Sequence, residues 1–521
     1  MIKFKNKHLY ILIFIFSIIG SVFSLKVGIS HDEIHERKNW EFNKNLASKI
    51  LKKKHFETNY IDKYYGIGFH IVSQPFQILI SKLAKDNIEV SNSGILLLSK
   101  HPVVFLMFLI SGIFFFKILY LITKNSYFSY LGTFLYIFYP YLLGHSFFNL
   151  KDIPFLSAWL VCTYLSFKII NIYIDKNFFS LKYVFLLSIF TAFLISVRIS
   201  GILIFLQFLI TLIIFFLVYS IQREKLKSFI LTILFYVFFT SLFIISLYPI
   251  SWTNPLELLN AIKFMSNHYN DVCTMTLGKC IESKNLDPIY IPTWLILKLP
   301  IFILLGLILI PFTEKKIINN SENKIFFGSL LSSAFIIPFF LIFNKVPLYN
   351  EIRQILFIVP IFFLLGLVSI YYFFKKKIYI FLTFFLFFFI YENIKMFPYQ
   401  YTWFNLPTRF LDIEKNFELD YWSISGKNLA HSLKKVGINE STCIVVSPKH
   451  SVKPFLFDLK NNCYFPWGAL NTNIKRPFFA VQTGKNLRTS IPYKCSIVHQ
   501  EKIKLSFYKK DLTAGNLIKC D

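Results

Sequence analysis

Between Ser30 and Glu36 the chain reads Ser-His-Asp-Glu-Ile-His-Glu, which gathers Asp32, Glu33 and Glu36 with His31 and His35. An apolar run ends just before it. These carboxylates therefore sit where a membrane helix leaves the bilayer, a costly place for charge and usually a functional one. Two more turns carry comparable groups: His145-Ser-Phe-Phe-Asn-Leu-Lys-Asp-Ile-Pro-Phe, with Lys151 and Asp152, and Tyr349-Asn-Glu-Ile-Arg-Gln, with Arg353. Arg198 stands in a fourth, Ser196-Val-Arg-Ile-Ser-Gly. Each has a plainer reading: a solvated acidic loop, an N-cap aspartate before a helix whose first turn holds Pro154, and arginines that snorkel to headgroups. Together they suit one reaction. A carboxylate is a general base toward a hydroxyl or amine, and arginine neutralises a phosphate leaving group as charge develops on it. At a membrane face this fits a donor whose phosphate lies at the interface and whose lipid tail lies in the bilayer: sugar transfer from a polyprenyl phosphate.

The elements that must position these groups are membrane helices. Hydrophobic residues make up 55% of the 521 and mean hydropathy is +0.54, which marks a polytopic membrane protein. The net charge of +28 falls mainly between apolar spans and in two long loops, with no glycine-rich or RNP-like motif, so no nucleic-acid partner is expected. Apolar spans recur at roughly 9–29, 102–123, 126–146, 153–174, 183–199, 201–220, 229–249, 293–312, 325–343, 355–374 and 378–397, which predicts about eleven transmembrane helices. The first, preceded by Lys3, Lys5 and Lys7, reads as a retained helix rather than a cleaved signal peptide. The stretch from Gly66 to Leu83, interrupted by His70, Gln74, Pro75 and Gln77, reads as a helix lying in the interface, with a spanning helix as the competing reading. The positive-inside rule then puts 30–100, the Lys151-Asp152 turn, 251–292, 344–354 and everything after 397 on the extracytoplasmic side.

Cysteine usage agrees with that assignment without having entered it. Cys273, Cys280, Cys443, Cys463, Cys495 and Cys520 fall outside, and Cys162 lies within a span. This suits an oxidising compartment. A Cys273–Cys280 bridge is the expected local pair, and the tail pairs stay open. Zinc is the rival reading of the outside thiols, although no CxxC spacing appears. After residue 397 the periodicity changes. Ser423–Val436 predicts an amphipathic helix stopped by Gly437, and Thr442–Val446, Phe478–Gln482, Ser496–Gln500 and Lys504–Tyr508 predict short strands. The expected architecture is therefore mainly α: a membrane domain over 1–397 and a small α/β domain over 398–521.

The chain resembles the polyprenyl-phosphate-dependent GT-C membrane glycosyltransferases, which include the protein O-mannosyltransferases and the lipid A aminoarabinose transferases. The resemblance rests on Asp32-Glu33, Asn149-Leu-Lys-Asp-Ile-Pro-Phe, Arg198-Ile-Ser-Gly, Asp287-Pro-Ile-Tyr-Ile-Pro-Thr-Trp, Leu299-Pro300 and Arg353-Gln-Ile-Leu-Phe-Ile-Val-Pro. Pro398-Tyr-Gln-Tyr and Asp420-Tyr-Trp-Ser look like segments of some bacterial members. The resemblance implies Asp32 as catalytic base, Glu33 holding the acceptor and Asp152 supporting the site. It also implies Arg353, with Arg198 and Lys151, on the carrier phosphate, in an inverting displacement in the plasma (inner) membrane. The acceptor would be a lipid, a glycan or a protein. About forty residues between the spans flanking 251–292, with no large inserted domain, argue against the last. Some GT-C enzymes use a divalent metal at paired carboxylates, and His31, His35 and Glu36 are further candidates for its ligands. The competing functions are a transporter or lipid flippase, which would place charge at mid-bilayer in repeated halves, and a non-catalytic envelope scaffold.

Overall fold

The computed structural model describes residues 6–219, 223–266, 268, 271–459, 463–470, 474–491 and 493–521; Lys3 and Lys5 of the basic N-terminal flank lie outside the described residues. Among the described residues, seven helices are long and apolar enough to cross a membrane: Asn92–Thr123, Asp152–Lys176, Ile199–Val218, Leu226–Leu247, Ser321–Phe343, Arg353–Phe374 and Ile378–Met396. Tyr10–Lys26 and Leu181–Val197 are apolar but shorter. The two remaining expected spans are helical but interrupted. One breaks into Ser126–Phe138 and Pro140–Ser146, and the other into Tyr290–Lys298, Ile301–Ile308 and Ile310–Ile317. Proline explains the main breaks, because Pro140 and Pro300 remove a backbone donor and hold Tyr139 and Leu299 out of the helical region, while Pro311 sits in the first turn of the helix that restarts after Leu309. Among the described residues, seven of the eleven expected spans are thus unbroken helices of spanning length, two are shorter and two are interrupted.

Local signals set the helix ends. Asn125 and Asn320 accept from Phe128 N and Asn323 N, capping the helices that follow. Lys124 and Asn177 end theirs in the left-handed conformation. The helices Asp152–Lys176 and Arg353–Phe374 are almost wholly enclosed, whereas Leu226–Leu247 and Ile378–Met396 present Phe238, Ile380, Phe384, Phe387 and Ile394 outward. Such an outward apolar wall suits lipid rather than water. Inside, Gly306 approaches Gly366 so closely that a Cβ would lie 2.2 Å from the Gly366 carbonyl oxygen, the small-residue contact typical of membrane helices. The helix Gly68–Ala84 buries Phe69, His70, Ser73 and Gln77 and exposes Ile71, Val72, Phe76 and Leu79, the amphipathic division expected of an interfacial helix.

Two sheets complete the chain. Strands β1 (Cys273–Thr276) and β2 (Lys279–Glu282) form a hairpin closed by the Cys273–Cys280 disulfide. The C-terminal sheet contains β3 (Cys443–Val446), β4 (Tyr464–Phe465), β5 (Phe478–Thr483), β6 (Cys495–Ile503) and β7 (Leu512–Cys520) in the order β4-β3-β5-β7-β6. β3 runs parallel to both neighbours, while β5–β7 and β6–β7 are antiparallel. Helix Gly426–Lys435 lays Leu429, Ala430 and Leu433 on this sheet. Gly515 in β7 makes room, since a Cβ there would meet Leu429 at 2.6 Å. The partner of β6 is thus Leu512–Cys520, not the expected Lys504–Tyr508, which carries no strand. A glycine and an asparagine inside β7 hid it, because both are poor strand formers. Cys443–Cys463 and Cys495–Cys520 are the tail disulfides, and Cys162 is free and buried. A buried Glu392–Arg409 pair, 2.6 Å apart, ties the last long helix to this region, with Glu392 also accepting from Trp403 Nε1 and Ser506 N.

Candidate active site

A cavity of about 490 Å³ is lined by the four stretches singled out above and by loops of the C-terminal sheet region. Helix Glu33–Leu51 delivers the first group. Asp32 stands at its N-cap position, and His35, Glu36 and Asn39 follow on the cavity face. That spacing is the helical period. Glu33, one residue round the helix, points elsewhere: its Oε1 accepts from Ser30 N at 2.6 Å and its Oε2 lies 3.2 Å from His101 Nε2 in the interior. Glu33 does not line the cavity.

Three carboxylate–cation pairs line the cavity. Asp32 Oδ2 accepts from Arg353 Nη1 at 2.8 Å, Glu36 Oε1 meets Lys151 Nζ at 2.5 Å, and Asp152 accepts from Arg198. Asp152 is held further by Asn149, whose Nδ2 donates to it at 3.0 Å and whose Oδ1 accepts from the Asp152 backbone N–H. The N-cap position of the helix is Lys151, not Asp152, and the Asp152 carboxylate is partnered by Arg198 and Asn149. Arg353 likewise does not reach outward to headgroups. Its side chain is only 7% exposed, its guanidinium stacks 4.4 Å from the centre of the Trp422 ring, and a second ring, Tyr349, lies on it at 5.0 Å. The structure thus brings Asp32, Asp152, Lys151, Arg198 and Arg353 to one cavity and leaves Glu33 out of it.

The electrostatics follow from these pairs. Burial raises the Asp32 carboxyl, but the Arg353 guanidinium, then His31 and Lys151, outweigh it and hold Asp32 well below the ordinary carboxylate range. Asp32 nevertheless keeps 35% of its side chain accessible. Glu36 is raised by burial and pulled down more strongly by Lys151 and His70, to about 2. His70 is pushed down to about 4 by burial and then by Lys100. A neutral His70 satisfies both neighbours: Nε2–H donates to Glu36 Oε2 at 3.2 Å, and Nδ1 accepts from Lys100 Nζ at 2.5 Å.

Each carboxylate among the candidate metal ligands is paired, Asp32 with Arg353, Glu33 with His101, and Glu36 with Lys151 and His70, and among the described residues no three His, Cys, Asp or Glu side chains converge.

The C-terminal region supplies parts of the site for which the sequence carries little local signal. His31 N donates to the Trp422 carbonyl at 2.9 Å, and His450 Nε2 lies 3.0 Å from the carbonyls of Ser30 and His31. The Asp420–Ser425 turn is built around the Asp420 carboxylate, which accepts from Tyr401 OH, Ile424 N, Ser425 N and Ser425 Oγ. Tyr421, Ser423, Ser447, Thr483, Lys485 and Asn486 then complete the cavity wall. The Asp420-Tyr-Trp-Ser motif was the one hint of this.

No protein-family model matches the chain, and no curated protein does. Among solved structures the chain is similar to ArnT from Cupriavidus metallidurans in the apo state, with a TM-score of 0.47 at 10% identity over 99% of this chain and 98% of that one. It is similar also to ArnT from Cupriavidus metallidurans bound to undecaprenyl phosphate, with a TM-score of 0.46 at 10% identity over the same shares.

Proposed function

We propose that this protein is a membrane glycosyltransferase that moves a sugar from a polyprenyl-phosphate donor to an acceptor at the extracytoplasmic membrane face. The observation that carries the reading is the set of three cation–carboxylate pairs, Arg353–Asp32, Lys151–Glu36 and Arg198–Asp152, around one cavity. Each pair holds a phosphate-binding cation against a group able to take a proton. In this reading the donor phosphate draws Arg353 toward itself and stabilises the charge that develops as the glycosidic bond breaks. Asp32, released from its partner, takes the proton of the acceptor hydroxyl or amine while that atom attacks the anomeric carbon from the opposite side. The sugar inverts, and the carrier leaves as polyprenyl phosphate. Asp152 holds Arg198, and Glu36 holds Lys151. The sheet region and the cavity lie together outside the cytoplasm, a placement supported by the basic loops and by the cysteines that pair.

The test is transfer by purified protein in vesicles, using polyprenyl-phosphate sugars and an envelope extract as acceptor, with product anomers assigned by nuclear magnetic resonance. The reading expects an inverted glycoside. Movement of lipid or ion across the vesicle with no glycoside formed would instead establish the transporter reading.

A further inference from the structure

The cavity has two unlike walls. One carries the three ion pairs. The other carries neutral hydrogen-bonding side chains: Asn350 and Gln354 from the turn entering helix Arg353–Phe374, and Ser447, Thr483 and Asn486 from the sheet region. Strand β1 brings the two sources together, because Asn350 N donates to Thr274 Oγ1 at 2.7 Å and Lys485 Nζ donates to the adjacent Cys273 carbonyl at 2.7 Å. Gly484, at φ +55°, lets the second loop close onto this wall, lying against Ser423.

Several polar atoms of this wall are unsatisfied. Among the described residues, Gln354 Nε2, Thr483 Oγ1 and Asn350 Oδ1 have no hydrogen-bond partner in the protein. Thr483 is 1% exposed and Gln354 8%, so bulk water does not serve them freely. Buried polar groups are nearly always paired, and an unpaired one costs stability. Several on one wall of one cavity need a reason, and a hydroxyl-rich ligand supplies it. Amide and hydroxyl side chains both donate and accept, as each hydroxyl of a sugar ring does, and a small rotation about Cα–Cβ or Cγ–Cδ turns either atom to the ring.

Resting on the glycosyltransferase reading, we propose that Gln354, Thr483 and the Asn350 and Asn486 amides form a sugar subsite that holds an uncharged, hydroxyl-bearing pyranose beside the charged wall. The same chemistry is met by the donor's sugar or by a sugar on the acceptor, and the experiment separates them. The full-length protein is placed in nanodiscs containing polar lipid extract from its own membrane, and native mass spectrometry counts bound polyprenyl phosphate with and without a sugar. Thr483→Val and Gln354→Leu are compared with wild type, together with thermal unfolding and the KM for envelope-extract acceptor.

Thr483→Val removes an unpaired hydroxyl and should unfold at or above the wild-type temperature, whereas Gln354→Leu also takes the Oε1 acceptor from Tyr349 N and should unfold somewhat lower. A donor subsite lowers the ratio of sugar-bearing to sugar-free lipid by about tenfold per variant, with sugar-free lipid retained. An acceptor subsite leaves that ratio intact and raises the acceptor KM by a similar factor. Unchanged ratio and KM in both variants, or a Tm several degrees lower in Thr483→Val, overturn the proposal while leaving Asp32 and Arg353 in their roles. If wild type holds no sugar-bearing lipid, the glycosyltransferase reading fails, and the subsite with it.

Discussion

Replacing Asp32 by asparagine should pull donor binding and transfer in opposite directions. The change keeps the shape and an acceptor oxygen for Arg353 Nη1, now 2.8 Å from a carboxylate, but removes the charge. A charge-assisted hydrogen bond contributes about 1.5–3 kcal/mol. Asp32 keeps 35% of its side chain accessible, so solvent screening reduces this to about 1 kcal/mol. The donor phosphate no longer competes with Asp32 for Arg353, and polyprenyl phosphate should bind about fivefold tighter. The base is gone, so single-turnover transfer at saturating donor should fall about 10²–10⁴-fold. Quenching of Trp422 fluorescence, from the ring stacked on Arg353, reports the binding. The pH profile follows with its sign. In the free protein Arg353 holds Asp32 well below the ordinary carboxylate range, so kcat/KM should show no acid limb near pH 4. Once the phosphate takes Arg353, the carboxyl rises toward its ordinary range, and kcat should acquire that limb. Weaker donor binding together with slower transfer would mean that Asp32 holds the donor rather than activating the acceptor. Unchanged transfer would remove it from the chemistry altogether.

Other consequences are sharp enough to check. Glu392→Gln or Arg409→Met alone should each cost about 3–5 kcal/mol by stranding a buried charge, while the double variant recovers most of the loss, read by thermal unfolding. His70, pushed down to about 4 against an ordinary value of 6.5, takes up its proton on unfolding, so stability should fall as pH drops from about 6.5 toward 4, by on the order of 3 kcal/mol. His70→Gln should abolish that part of the acid sensitivity. The part from Glu36, lost as pH falls from about 4.5 to 2, should remain. Arg353→Ala should raise the KM for donor more than it lowers kcat, whereas Glu33→Gln, altering a group turned toward His101, should lower thermal stability with little change in donor KM. Peptide mapping without reductant should recover three disulfide-linked pairs and a single alkylatable cysteine, Cys162.

What could be read in the sequence was whatever depends on a residue and its near neighbours. Asp32, Asp152, Arg198 and Arg353 stood out because charge beside a membrane span is costly and each lay at the end of one. The helix Gly68–Ala84 could be recognised as amphipathic from its polar interruptions, and the Cys273–Cys280 pair from its short separation. Direction around a helix was less accessible. Asp32 and Glu33 are adjacent in a polar stretch, yet about 100° of helical rotation separates a cavity residue from an interior one. Averaged hydropathy passed over Pro140 and Pro300, because it weighs side chains and ignores the backbone hydrogen bonds that proline removes. Thr483 and the rest of the sheet-region wall were beyond reach, and Trp422 was marked only by the Asp420-Tyr-Trp-Ser segment, since their meeting with Asp32 and Arg353 depends on contacts between distant parts of the chain. The Cys443–Cys463 and Cys495–Cys520 pairs were open for the same reason: six thiols allow fifteen pairings, and only the strand register chooses among them.

The central claim is that a polyprenyl phosphate exchanges places with Asp32 at Arg353. A cryo-electron microscopy structure of the full-length protein with polyprenyl phosphate tests it most directly. The account predicts the phosphate within hydrogen-bond reach of the Arg353 guanidinium, with the Asp32 carboxylate moved off that group and open to the cavity. A phosphate bound elsewhere, with the Arg353–Asp32 pair intact, would contradict it.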